Sequence, residues 1–230
     1  MKINIVSYIF RKVSSNKALA RICVVFLCRL HSFAYKQLGF FACNAEPNSL
    51  HPKHRLTKYH EFFVDNVLGG DRVLDIGCGN GALSFDLAKK AKIVIGIDVN
   101  KANIEYAQKN FKKENLLFMV GDITKKKFSE FFDAVVLSNV LEHVKDRDKL
   151  LRSLTKITNK ILIRVPQYDR SWEVLYKHEL GLDYRLDSTH EVEYTHKLLE
   201  RELKHAGLIL TEVQTIFGEF RVICTIRRPR

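Results

Sequence analysis

Asp75, Gly77, Gly79 and Gly81 stand at alternate positions in Val73-Leu74-Asp75-Ile76-Gly77-Cys78-Gly79-Asn80-Gly81, between an apolar run and a helical one, Ala82 to Lys90. Residues without a Cβ let the chain turn sharply at a strand end and let a bulky ligand come within contact distance of the main chain. Further on, a second apolar run, Ile93 to Ile97, ends in Asp98. Strand, glycine turn, helix, strand and terminal acid make a βαβ nucleotide unit, in which Asp98 can accept hydrogen bonds from both hydroxyls of a ribose. A dinucleotide fingerprint would run G-x-G-x-x-G. Here the third glycine comes one residue early, and an acid precedes the first.

The spacing D-x-G-x-G-x-G resembles motif I of the class I S-adenosylmethionine-dependent methyltransferases, and the likeness extends over about residues 50 to 225. The resemblance implies S-adenosylmethionine as cofactor, held by Asp75, Gly77, Cys78, Gly79, Asn80, Gly81, Asp98 and Val99. It makes Gly121-Asp122-Ile123, after the run Leu116 to Val120, the acidic turn that meets the adenine amino group. Phe132 to Leu137 reads as a buried strand ending in Ser138-Asn139 and followed by Val140-Leu141-Glu142-His143-Val144. In the family this stretch borders the donor's methionine part and the methyl-transfer channel, which brings in Asn139.

These segments need a frame to position them. Lys160 to Val165 supplies a fifth strand, and Leu208 to Phe217 with Arg221 to Ile226 a closing pair. Thr195 to Ala206 reads as a helix with Thr195 as N-cap and Gly207 as its stop. Strands alternating with helices predict an α/β, Rossmann-like, seven-stranded and mainly parallel sheet with helices on both faces. The expected division is an N-terminal helical segment, 1–45, and a methyltransferase domain, 46–230, carrying an acceptor-side insert at 166–194. Ahead of motif I, in the segment that covers the methionine end of the donor in the family, Arg55 is the candidate for the donor carboxylate, its guanidinium fork suited to a bidentate pair.

Methyl transfer from a sulfonium requires in-line alignment, exclusion of water and, for a hydroxyl acceptor, a base. Histidine suits that role because its ordinary pKa lies near neutrality. His143 is the first candidate, with Glu142 or His190 as alternatives. The chain spacing of carboxylates and amides shows no metal-ligand pattern, so no catalytic metal is expected.

The insert carries Tyr168, Trp172, Tyr176, Tyr184 and Tyr194, and its seven acids outnumber its three bases. Long connections inside a compact domain are usually functional. Aromatic faces flanked by carboxylates suit a neutral, hydroxyl-rich ligand and would repel a nucleic-acid backbone. With Glu191-Val192-Glu193-Tyr194-Thr195 and Phe217-Gly218-Glu219-Phe220, the insert resembles prokaryotic methyltransferases associated with cell-surface glycan assembly. That likeness implies O-methylation of a sugar hydroxyl on a lipid carrier. A lipophilic phenol of the quinone type is the alternative acceptor, and a non-catalytic donor-binding scaffold the alternative from another class.

The formal net charge is +12, and seven cations (Lys2, Arg11, Lys12, Lys17, Arg21, Arg29, Lys36) precede Glu46, the first acid. Leu19, Ile22, Phe26, Leu30 and Phe33 form one stripe of a helical wheel beside a basic face. The uninterrupted apolar run, Ile22 to Cys28, is too short to span a bilayer. A helix lying on an anionic membrane, a helix packed as a lid with its stripe in the core, and a cleaved transit segment all fit. No nucleic-acid motif accompanies the charge. Five cysteines without a C-x-x-C pair point to neither a disulfide framework nor a zinc site, and to a cytoplasmic setting, with the membrane's inner face as the place of any contact.

Overall fold

The computed structural model describes residues 5–47, 51–126 and 128–226; Lys2, counted above among the N-terminal cations, lies outside them. The chain forms two compact units, one from the residues up to Leu56 together with Trp172–Tyr184, the other from Thr57–Ser171 and the residues from Arg185 onward. The boundary expected at 45/46 is thus redrawn, because the middle of the insert groups with the N-terminal helices. Lys177 supplies the physical reason. Its buried ammonium reaches His31 Nδ1 at 3.1 Å and Ser32 Oγ at 3.0 Å.

The first unit holds α1 (Ile5–Ser15), α2 (Lys17–Ala45), most of α3 (Lys53–Thr57) and α8 (Trp172–Glu179). Asn16 caps α2 by accepting from the amides of Ala18 and Leu19 at 3.0 and 3.2 Å, satisfying two of the four donors a helix start leaves open. From there α2 continues unbroken for 29 residues, and none of them is buried. Its stripe residues Leu19, Ile22, Phe26, Leu30 and Phe33 are all exposed, so the stripe is not the core of the first unit. Run length alone does not decide whether this helix crosses a membrane. By length and composition α2 could cross a bilayer.

The second unit is built on one seven-stranded sheet of order β3-β2-β1-β4-β5-β7-β6. Its strands are β1 (Arg72–Ile76), β2 (Ile93–Asp98), β3 (Leu116–Val120), β4 (Ala134–Ser138), β5 (Lys160–Pro166), β6 (Leu208–Ile216) and β7 (Glu219–Ile226). All seven expected strands are present, and β4 begins two residues later than expected because Phe132 makes only an isolated bridge to Thr158. Strands β1 to β5 pair in parallel; β7 runs antiparallel between β5 and β6. Phe217 and Gly218 join β6 to β7 with φ of 51° and 72°, the two positive values that a tight hairpin requires.

Helices cover both faces, so the central strands are apolar on both sides. Alternate residues Leu74, Ile76, Val135, Leu137, Ile161 and Ile163 meet α7 (Arg147–Leu154) and α9 (His196–His205) through Leu151, Leu154, Leu199 and Leu203. Their neighbours Val73, Val94, Ala134, Val136 and Leu162 face α4 (Tyr59–Asp65) and α5 (Ala82–Leu87) through Phe62, Phe63, Leu83 and Leu87. The helix α6 (Lys101–Asn110) packs over β2 and β3. Thr195 Oγ1 accepts from the Leu198 amide, and Gly207 takes φ +80° just beyond α9, so both helix boundaries fall where the sequence puts them.

A charged pair lies inside the sheet. Arg164 on β5 donates from Nε and Nη2 to Glu219 of β7 at 2.7 and 2.6 Å, and its guanidinium stacks 3.7 Å from the Tyr59 ring centre. A buried bidentate pair gives orientation more than net stability, since desolvation offsets most of the attraction. Here it clamps β7 to the end of β5.

Candidate functional site

The parallel strands β1 and β4 mark where strand order reverses, and ligands of open α/β sheets bind outside the carboxyl ends at such a point. The turn after β1 is built for close approach. Gly77, Gly79 and Gly81 take φ of 65°, 53° and 84°. A Cβ on Gly77 would lie 2.6 Å from Val140 Cγ2, whereas one on Gly79 would meet nothing within 4 Å. The Gly77 amide donates to the Ile97 carbonyl at 2.7 Å and the Gly79 amide to Asp98 Oδ2 at 2.9 Å. Asp98 Oδ1 accepts from the Asn100 amide at 2.7 Å. Each carboxylate oxygen is thereby fixed by one backbone donor, with lone pairs left for a second.

A cavity of about 920 Å³ opens there, near the upper end for small-molecule sites. Its walls include Gly77, Asp98, Val99, Asp122, Ile123, Asn139, Val140 and His143, and it continues along Val144, Lys149 and Leu150. Ile76, Ile97, Val99, Ile123, Val140 and Val144 make much of the lining apolar. Asp122 accepts from Thr124 Oγ1 at 2.6 Å and from its amide at 2.9 Å, and these bonds hold its pKa below the ordinary carboxylate value.

Beyond β4 the chain makes a single tight turn, Leu141–His143, after Asn139 in left-handed conformation with φ 56°. Asn139 Nδ2 donates to Glu142 Oε1 at 2.6 Å, leaving Glu142 Oε2 buried with no hydrogen-bond partner. Burial raises the Glu142 pKa to about 7. The exposed His143 ring stands edge-on to buried His190, centres 4.7 Å apart, and His190 Nδ1 lies 3.3 Å from Glu193 Oε1. Burial and then the neighbouring His190 lower the His143 pKa. The expectation of no metal rests on spacing along the chain. In space, Glu142, His143 and His190 each bring one polar atom within 4.8 Å of the others, a convergence that spacing could not foresee.

Thr189 orders this cluster. Its hydroxyl donates to Asp187 Oδ1 at 2.8 Å and lies 3.0 Å from His143 Nδ1. Hydrogen bonds from Thr189 keep Asp187 ionised, so its oxygens only accept. The single hydroxyl proton therefore points at Asp187, and His143 must donate from Nδ1, which leaves Nε2 with a free lone pair. Neither Thr189 nor Asp187 carried a motif that would have singled it out.

Of the expected donor residues, Gly77, Asp98, Val99, Asp122, Ile123 and Asn139 line the cavity, and Cys78, Gly79, Asn80 and Gly81 form the turn behind it. Asp75 is buried beneath that turn, accepting from Ser84 Oγ at 2.5 Å, so it supports the turn rather than lining the cavity. Arg55 belongs to the first unit, where it donates to Glu46 Oε1 at 2.8 Å. Among the acceptor candidates, Tyr194 is fully buried and donates to Glu202 Oε2 at 2.9 Å, which corrects its expected contact with substrate. Trp172, Tyr176 and Tyr184 lie in the first unit; Tyr168, whose amide bonds to the Tyr194 carbonyl at 2.8 Å, is not part of the cavity wall.

Comparisons with known proteins agree with this geometry. Residues 68–205 match a family described as a methyltransferase domain. A ubiquinone biosynthesis O-methyltransferase from Histophilus somni is 32% identical over 120 residues, covering 47% of this chain and 50% of that protein. One of the same description from Rhodopseudomonas palustris is 31% identical over 156 residues, covering 64% of this chain and 62% of that protein. The chain spans about half the length of the curated relatives it matches. Among solved structures, magnesium protoporphyrin IX methyltransferase from Synechocystis with bound SAH aligns with TM-score 0.61 at 17% identity, covering 76% of this chain and 83% of that one. An S-adenosylmethionine-dependent methyltransferase from Clostridium acetobutylicum aligns with TM-score 0.60 at 14% identity, covering 86% and 98%. At those identities the likeness is one of fold.

Proposed function

The chain belongs to the methyltransferase domain family, and from that premise we propose that it methylates a hydroxyl of a lipophilic phenol, of the quinone-precursor type, with S-adenosylmethionine as donor. The donor supplies a methyl group on a positively charged sulfur. Asp98 would hold the ribose hydroxyls and Asp122 the adenine amino group, and the turn at Gly77 with Val140 would wall the reacting end. Asn139, with its side chain fixed on Glu142, lines the same cavity.

The observation that carries the reading is His143 at the edge of an apolar cavity with Nε2 free. A phenol has an ordinary pKa of about 10 and needs a base to reach its nucleophilic form at neutral pH. His143 would take the phenolic proton at Nε2 as the oxygen bonds the methyl carbon and the carbon–sulfur bond breaks, its electron pair leaving with S-adenosylhomocysteine. The Asp187–Thr189 chain keeps Nδ1 protonated, and burial, then the neighbouring His190, hold the His143 pKa below the ordinary histidine value. Relatives named for ubiquinone biosynthesis support a phenol over a sugar. Of the aromatic residues on which a sugar reading depended, Tyr194 is buried in the core of the second unit and Tyr168 does not line the cavity.

The test is His143→Gln assayed with labelled donor against polyprenyl catechols and sugar glycosides. The expected result is turnover of the catechols only, a kcat lower by about 10²–10⁴-fold in the variant, and unchanged affinity for S-adenosylhomocysteine. Full activity in the variant would remove His143 as base, and turnover of glycosides alone would remove the phenol.

A further inference from the structure

We propose that α2 is a membrane-surface helix whose open face docks onto an anionic lipid bilayer, lying in the interface rather than crossing it. On a wheel of about 100° per residue, Leu19, Ile22, Phe26, Leu30, Phe33 and Phe41 fall within roughly 100° of arc. All six are exposed, Ile22 by 65% and Phe26 by 63%. On the opposite side Val24, Cys28, Ser32, Gly39 and Ala42 are partly covered, while Arg21 and Tyr35 stay exposed there. One side of the helix is therefore partly packed and the other presents a band of large apolar side chains, far beyond the scattered exposed residues normal on a soluble surface.

Charge selects the occupant. No acid occurs between Ile5 and Ala45, while Arg21, Arg29 and Lys36 are exposed, and the last two border the apolar band. Such cations reach phosphate headgroups while their stems lie along apolar surface. A second protein copy bearing the same cations would be repelled; an anionic leaflet attracts them.

The same residues decide between lying and crossing. In a spanning helix Arg29 and Lys36 would sit in the hydrocarbon, where a cation is costly. Midway along the helix, His31 and Ser32 also bond the buried ammonium of Lys177, from a segment rich in carboxylates. A helix with that partner on one side is not surrounded by lipid.

Co-sedimentation of the full chain tests the proposal, with vesicles of phosphatidylglycerol and phosphatidylcholine against pure phosphatidylcholine, at low and moderate salt. Two variants accompany it, Phe26→Ser/Phe33→Ser and Arg21→Gln/Arg29→Gln/Lys36→Gln. Affinity for S-adenosylhomocysteine, whose site lies in the other unit, checks that each is folded. Binding is expected only to the anionic vesicles, weakened by salt, and about thirtyfold weaker in the triple variant at low salt, from the two cations that border the band. The double variant should also lose it. No binding by the wild type, or equal binding by the variants, overturns the proposal. So does sedimentation without vesicles that the double variant abolishes, which would make the face a self-association surface. Retention in the membrane after alkaline carbonate extraction would mean that the helix crosses it.

Discussion

Replacing Asp98 by alanine isolates the residue on which the donor assignment rests most heavily. In the folded chain each of its carboxylate oxygens already accepts one backbone amide, from Gly79 at 2.9 Å and Asn100 at 2.7 Å. What remains is one accepting direction per oxygen, enough for the two hydroxyls of a ribose and no more. Hydrogen bonds to a charged group are worth about 1.5–3 kcal/mol each. Losing two should weaken donor binding by about 3–6 kcal/mol, roughly a hundredfold to ten-thousandfold in Kd. Alanine also leaves the Gly79 amide without its acceptor, which could loosen the turn on its own account. Asp98→Asn separates the effects, since its oxygen can keep one backbone bond while its NH₂ group cannot accept from a hydroxyl. Titration calorimetry with S-adenosylhomocysteine, beside thermal melts of all three proteins, gives the answer. A Kd for Asp98→Ala within threefold of wild type, at matching Tm, would refute the ribose contact and the reading of the cavity built on it.

Gly77→Ala and Gly79→Ala should both carry the cost of left-handed backbone, about 1–2 kcal/mol in urea unfolding. Gly77→Ala alone should lose more, because its Cβ would meet Val140 at 2.6 Å; failure of Val140→Ala to recover part of that excess would contradict the contact. Asp75 makes a pH prediction, because burial raises its pKa from 3.8 to about 7. Between those values the folded chain retains a proton that the unfolded chain has released, so this group's contribution to stability is intact below about pH 4 and lost as pH rises through 7. Asp75→Asn removes that dependence, and the stability of the variant relative to wild type should grow by on the order of 3–4 kcal/mol between pH 4 and pH 8. A difference that stays flat with pH would show that Asp75 ionises freely in the folded state.

The parts of the fold that sequence made legible are those where one local rule dictates one geometry. Alternating glycines after an apolar run fixed the turn at Gly77, Thr195 marked a helix start through its side-chain oxygen, and apolar runs of strand length located all seven strands. Residues whose meaning depends on distant partners were not legible. Tyr194 follows a polar loop, and nothing nearby in sequence says that its ring enters the core and its hydroxyl meets Glu202 eight positions on. His190 is remote in sequence from His143, so their edge-on contact and the Asp187–Thr189 chain emerge only when the insert folds back. The wheel of α2 showed that one face is different, yet periodicity cannot say whether such a face is covered or open. Run length was an incomplete measure there, because a helix is apolar by composition as well as by uninterrupted stretch.

The position of β7 inside the sheet bears on how this protein is made. Its partner β5 is complete many residues earlier in the chain, and until Glu219–Ile226 has been synthesised β5 is an edge with open backbone groups and an Arg164 lacking its carboxylate. An exposed apolar edge of that kind is a template for the wrong strand. Premature termination before Glu219 would thus leave a chain that holds the whole glycine turn and the Asp98 carboxylate but presents an adhesive flank. Such fragments would be cleared by proteases or accumulate as aggregates, so biosynthetic quality control of this protein rests on whether synthesis reaches Glu219–Ile226.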